Sequence, residues 1–218
     1  MGTRQTLNSG IMHEGRSSWS TDDFLNQPYK DITATQRVQN AFYNPATQKF
    51  DFAYYMQKLK SEHGGSDPDF VILNLGANDN FSLQSVENLR AMVDSIRAYA
   101  SANNLTIEIL VMTEYRSPAA DYYLTQSYNT DVAAKRAKQA VYFAYLEAAF
   151  GDREDEHVHL LPVHVGINDW SDWTRATVST DRGEAERITD IVHLGRQGYL
   201  KEAALIRSYL YWLFGVAA

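Results

Sequence analysis

The chain contains no cysteine among its 218 residues. Disulfides, thiolate nucleophiles and zinc–thiolate sites are therefore excluded. The compartment stays open, because a cysteine-free chain suits either redox environment. Positive charge is also short: 20 Lys and Arg stand against 27 Asp and Glu, a formal net charge of −7. Nucleic acid as main partner needs the opposite balance and is excluded. No apolar run approaches the length of a membrane span, and residues 1–20 lack the basic-then-apolar order of a signal segment. No glycine-rich phosphate loop follows any predicted strand, and the chain shows no internal repeat, low-complexity tract or linker. What remains is ordinary globular material, 44% hydrophobic and 22% charged, enough for one α/β domain with a substantial core. Its 14 Tyr and 4 Trp suit either a carbohydrate-facing surface or a core of tethered hydroxyls.

The segment from Val71 to Asn80, VILNLGANDN, organises the rest. Val71, Ile72, Leu73 and Leu75 form an apolar run between Pro68 and Gly76. That pattern predicts a strand buried on both faces of a parallel sheet. Asn78, Asp79 and Asn80 follow at its carboxyl end, where open α/β sheets bind their ligands. Gly76 permits a tight turn, and the Asn78 amide can donate to an oxyanion.

Before this strand lies a polar segment containing His13-Glu14-Gly15-Arg16-Ser17-Ser18-Trp19-Ser20. Residues 21–67 read as a long connection bordering a site. Within it, Thr21-Asp22-Asp23 cap a short helix that Pro28 ends, and Phe50 to Lys60 form an amphipathic helix. After Asn80, Ser82 or Ser85 starts a helix to about Asn103, its apolar face made by Val86, Leu89, Val93 and Ile96. Ile107 to Thr113 is the next buried strand, with Glu114-Tyr115-Arg116 at its carboxyl end. A helix over 131–150 ends at Gly151, and His157 to Val165 is a further strand in which Pro162 marks an edge or bulge. His157, His159 and His164 do not make a metal site, since they split between two faces without a carboxylate cluster. Gly166 to Thr189 reads as a polar loop carrying Trp170 and Trp173. The last helix runs from Gly195 to about Phe214 with Leu200, Ala204 and Leu210 on its inner face. Strand–helix alternation from Phe70 onward argues for βαβ units.

Three blocks carry a resemblance: Glu14-Gly15-Arg16-Ser17-Ser18-Trp19, Gly76-Ala77-Asn78-Asp79, and Asp190-Ile191-Val192-His193 with Gly198-Tyr199 shortly after. Together, in this order, they resemble the SGNH (GDSL-type) ester hydrolases over most of the chain. The resemblance implies a three-layer α/β/α, flavodoxin-like parallel sheet and acyl transfer to water without metal or organic cofactor. It implies His193 as general base, Asp190 as the carboxylate orienting it, and Gly15 and Asn78 as oxyanion donors. Arg16, Trp19, Arg116 and Trp170 are then candidate substrate contacts, and the ligand is a small-molecule or carbohydrate ester.

The family's Gly-Asp-Ser block is missing from these 218 residues. Gly65-Ser66-Asp67 enters a strand rather than leaving one, and Asp94-Ser95 sits inside a helix pattern. The expectation is that Met1 is an internal methionine of a longer protein, so that the nucleophile and first strand lie upstream. A chain in that state would be inactive alone and would self-associate through the gap. The alternative reading is an inactive binder of a carbohydrate or acylated ligand in the same cleft.

Overall fold

Apolar periodicity and capping residues set most of the regular elements, and the computed structural model describes residues 14, 19–114, 129–167, 170–180, 183–188 and 194–215. Helix α1 (Thr21–Asn26) starts from Ser20, not from the Thr-Asp-Asp run. Ser20 accepts a bond from the Asp23 backbone while the Asp23 carboxylate reaches back to Ser20. A hairpin follows, β1 (Tyr29–Thr33) with β2 (Gln36–Gln39), and a shorter one, β3 (Tyr43–Asn44) with β4 (Lys49–Phe50). Helix α2 (Phe52–His63) is capped by Asp51 and closed by Gly64 in the left-handed conformation. Besides the two helices that its sequence predicts, the connection holds two hairpins, whose strands are too short and polar to show alternation.

The core sheet orders β5 (Phe70–Leu73), β6 (Glu108–Met112) and β7 (Val158–Leu161) as parallel strands, joined through helices α3 (Leu83–Ala102) and α4 (Asn129–Phe150). Ser82 caps α3, and Val86, Leu89, Val93 and Ile96 are buried, as the 3.6-residue period requires. Strand β5 differs from expectation. All four of its residues are half-buried, and among the described residues β5 stands at one end of the strand order rather than between neighbours. Strand β7 stops at Leu161, before Pro162, and His164 falls in the one-turn helix α5 (Val163–Gly166). Proline has no N–H to extend the ladder. Part of the presumed polar loop is a second two-stranded ribbon, β8 (Arg175–Thr180) with β9 (Gly183–Ile188). Helix α6 (Arg196–Leu213) completes the chain's elements.

The chain divides into two compact units. The first, Met1–Leu110 with Arg153–Val158, is packed around rings of Trp19, Phe24, Phe42, Phe50, Phe52 and Tyr55. Phe42 lies 4.2 Å from Tyr55 between ring centroids. Asn40 closes α1 by donating to the carbonyls of Asp23, Phe24 and Gln27, which ties the base of the β1–β2 hairpin to that helix. The second unit is Val111–Asp152 with His159–Ala218. Here the predicted inner face of α6 is corrected. Leu200 and Ala204 are exposed, Leu210 is half-buried, and the buried position is Gly198. A Cβ on Gly198 would run into the Asp172 carbonyl oxygen, so this close backbone contact, not the leucine stripe, sets the rotation of α6. Among the described residues no helix is long and apolar enough to cross a membrane.

Candidate active site

In the first unit, the chain leaves β5 through a turn that forces unusual backbone. Gly76 has φ 130°, a value that favours glycine, and Asn80 and Phe81 both sit near φ 55°. A left-handed phenylalanine is a genuine outlier, held here by burial of its ring. Between them, Ala77–Asp79 form a single 3-10 turn that presents Asn78 at the surface. Asn78 Nδ2 donates to the Trp19 carbonyl at 3.0 Å across 59 residues of sequence. One amide hydrogen is thereby used and the amide's orientation settled, which leaves the second hydrogen for another acceptor.

Asp79, the next residue, grips the start of α1. Its carboxylate accepts from the Thr21 backbone N–H at 2.9 and 3.1 Å and from the Thr21 hydroxyl at 2.6 Å. Behind it, Asn88 Nδ2 donates to Thr21 Oγ1 at 3.0 Å, and Gln84 Nε2 donates to Asn88 Oδ1 at 3.0 Å. Thr21 and Asn88 are buried. The structure thus brings the Trp19 end of one sequence block onto the Asn78-Asp79 block. Trp19 itself turns its ring inward, 2% exposed and 4.9 Å from Phe24, so the part it offers beside Asn78 is its carbonyl rather than a stacking surface. At the other end of the same block, Glu14 Oε1 accepts from the Tyr55 hydroxyl at 3.0 Å. Gly15 and Arg16 lie outside the described residues.

In the second unit, Asp190, His193 and Arg116 also lie outside the described residues, and of Trp170 only the backbone, in a 3-10 turn to Asp172, is described. The flanks of the Asp190–His193 block are well anchored. Ile188 is buried and pairs with Arg175, and Leu194 is buried and bridges Trp173. Gly195 N donates to the Asp172 carbonyl at 2.7 Å, and Thr174 Oγ1 donates to that of Leu194 at 3.3 Å. The Asp172 side chain is fully buried and paired with Lys201 Nζ at 2.7 Å. Gly198, from the Gly-Tyr pair, earns its place by the backbone contact with Asp172 described above.

Sequence reasoning passed over a second polar group at carboxyl ends of strands. Thr113 follows β6, and its hydroxyl lies 3.0 Å from His164 Nδ1 and accepts from the His164 backbone N–H at 3.2 Å. The His164 ring stacks on Phe143 of α4 at 4.1 Å. Nearby in sequence, Glu114 faces Lys135, whose amine burial pushes below its usual range while Glu114 opposes the shift. The three histidines once grouped along one strand have different partners: His157 meets Glu108 at 3.0 Å, His159 lies against Tyr209, and His164 meets Thr113. A shallow depression of about 240 Å³, lined by Gly166, Lys201, Ala204, Leu205 and Ser208, involves none of the block residues.

Asn88 was legible only as a polar interruption of the apolar face of α3, one residue before Leu89. Nothing in its sequence neighbourhood names Thr21 as its partner. Compared with known protein families, residues 6–206 match the model described as GDSL-like Lipase/Acylhydrolase. Neither a curated protein nor a solved structure matches the chain.

Proposed function

The chain belongs to the GDSL-like lipase/acylhydrolase family, whose chemistry is hydrolysis of ester type, and we propose that it acts as one hydrolase domain that moves a short acyl group from an ester to water. In this reading the Asn78 amide and the Gly15 N–H take up the negative charge that builds on the acyl oxygen. His193 accepts the proton of an attacking serine hydroxyl and delivers it to the departing alcohol, while Asp190 holds the imidazole and steadies its cation. Water then attacks the acyl-enzyme through the same base and releases the carboxylic acid. Residues 1–218 contain no Gly-Asp-Ser triplet, so the attacking serine in this reading comes from a Gly-Asp-Ser block outside them. Arg16, Arg116 and Trp170 are proposed substrate contacts for an acylated carbohydrate.

The observation that carries this reading is the junction of Asn78 with Trp19 and of Asp79 with Thr21. It sets the Asn78 amide beside Trp19, four residues along the chain from Gly15. The test is hydrolysis of aryl acetates. The 218-residue chain is expected to turn them over barely, and a form extended to include the serine to do so readily. His193→Ala in that extended form should lower kcat by roughly 10⁴-fold. Robust turnover by the 218-residue chain that survives His193→Ala would overturn both the base and a serine supplied from outside these residues. An extended form that binds acetylated oligosaccharides and leaves them intact would favour the binder.

A further inference from the structure

We propose that Thr21 is a positioning residue for the Asn78 amide, acting through the Trp19 carbonyl; this rests on the hydrolase reading of Asn78. An exposed asparagine on a short turn has two amide orientations and a soft side-chain torsion, so an oxyanion donor placed there needs an external brace. The Trp19 carbonyl supplies it at 3.0 Å. Trp19 lies only two residues before Thr21, and Asn78 is the chain neighbour of Asp79. The pair of contacts, Asn78 to Trp19 and Asp79 to Thr21, therefore closes a small ring of backbone and side chain.

Thr21 is the hub of that ring. Its hydroxyl accepts from Asn88 at 3.0 Å and donates to Asp79 at 2.6 Å, so both functions of the hydroxyl are engaged. Asn88 belongs to the long, buried face of α3 and is itself braced by Gln84, which fixes the ring to a rigid element. These bonds are not needed to start α1, because Ser20 and Asp23 already form a complete capping box there. The Asp79–Thr21–Asn88 chain is an addition to that cap. What it adds is a defined position for the carbonyl that Asn78 addresses.

The distinguishing pair of variants is Thr21→Val, equal in shape but without a hydroxyl, and Thr21→Ser, which keeps one. The first readout is the side-chain NH2 signal of Asn78 in the 218-residue chain, identified by its loss in Asn78→Ala. In the unsubstituted chain one of the two hydrogens should exchange slowly with solvent. In Thr21→Val that protection should fall about tenfold or more, and in Thr21→Ser it should stay within about twofold. The second readout is aryl acetate hydrolysis by the serine-containing form: Thr21→Val should lower kcat about tenfold at unchanged KM, and Thr21→Ser should restore it. If Thr21→Val does not fold, Asn88→Ala removes one bond to the same hydroxyl and should give an intermediate loss of protection. An Asn78 signal indifferent to Thr21→Val, or to Asn88→Ala where that variant stands in, would overturn the proposal, as would Thr21→Ser behaving like Thr21→Val. Absence of ester turnover in every form would remove the hydrolase reading, while the amide signal would still decide whether Thr21 holds Asn78.

Discussion

Trp19 shows how one residue type can serve the opposite purpose from the one its chemistry suggests. A tryptophan beside a presumed oxyanion glycine invites a role in stacking on substrate, yet the ring is core and the backbone oxygen does the local work. Its indole N–H is buried without an acceptor among the described residues. An unpaired buried donor costs about 1–3 kcal/mol, and a phenylalanine at this position would not carry that cost. Trp19→Ala should destabilise the chain by about 3–5 kcal/mol through the cavity it opens. Trp19→Phe should cost much less than an ordinary loss of ring volume, because the unpaired donor leaves with the indole. Urea unfolding of the two variants checks this; equal losses would mean that the N–H has a partner.

At the scale of elements, two glycines separate two physical uses of the same residue. Gly64 ends α2 at φ 63° with nothing within 4 Å of a hypothetical Cβ, so its requirement is purely one of backbone conformation. Gly198 has ordinary space for φ but lies in α6 against the Asp172 carbonyl, so its requirement is purely steric. Gly64→Ala should cost about 1 kcal/mol and leave the rest of the chain undisturbed. Gly198→Ala should cost about 1–3 kcal/mol by forcing α6 away. It should also change the near-ultraviolet circular dichroism through the buried Trp173 beside it. A silent spectrum in Gly198→Ala with full stability would show that α6 has another way to sit. The elements themselves were legible in proportion to their length. Helices α2, α3 and α4 follow from spacing, and α3 and α4 also from Ser82 and Gly151. The hairpin β1–β2 was not, because a two-stranded exposed ribbon has no buried face to impose alternation.

For the whole molecule, the acid limb of stability is set by carboxylates held in their charged form. Hydrogen bonds from Lys60 and Tyr99 hold Asp67 below its usual range. The bond from Arg153 does the same for Glu156. Burial pushes Asp23 upward, but its bonds with Lys30 and Ser20 outweigh that and leave it lowered. A carboxyl whose folded pKa is depressed contributes stability that is fully present above its unfolded pKa and is lost as pH falls through the folded one. These carboxylates should therefore add nothing further to the melting temperature above about pH 5 and lower it below about pH 4. Asp67→Asn should lower it at neutral pH and soften that fall. Glu202 has the opposite sign, since burial raises its pKa and ionisation costs the folded state as pH rises. Glu202→Gln should melt higher than the unsubstituted chain at pH 7 and equally at pH 4. Calorimetry across this range checks both, and a neutral-pH loss in Glu202→Gln would contradict a carboxyl raised by burial.

The sequence by itself determined the family, the βαβ alternation, the end of α4 at Gly151 and the identity of Asn78 as an amide at a strand's carboxyl end. Each of these is written in local spacing or in a short block, and local spacing is set by backbone geometry that neighbouring residues share. Tertiary structure alone decided that Trp19 points inward, that α6 is rotated onto Gly198, and that His164 leaves β7 to meet Thr113. It alone also joined Thr21 to Asp79 and Asn88, 58 and 67 residues away. Such contacts depend on which surfaces the packed helices and strands bring together. A hydrogen bond between residues far apart in the chain leaves no periodicity in either segment, so only the fold can name the partners.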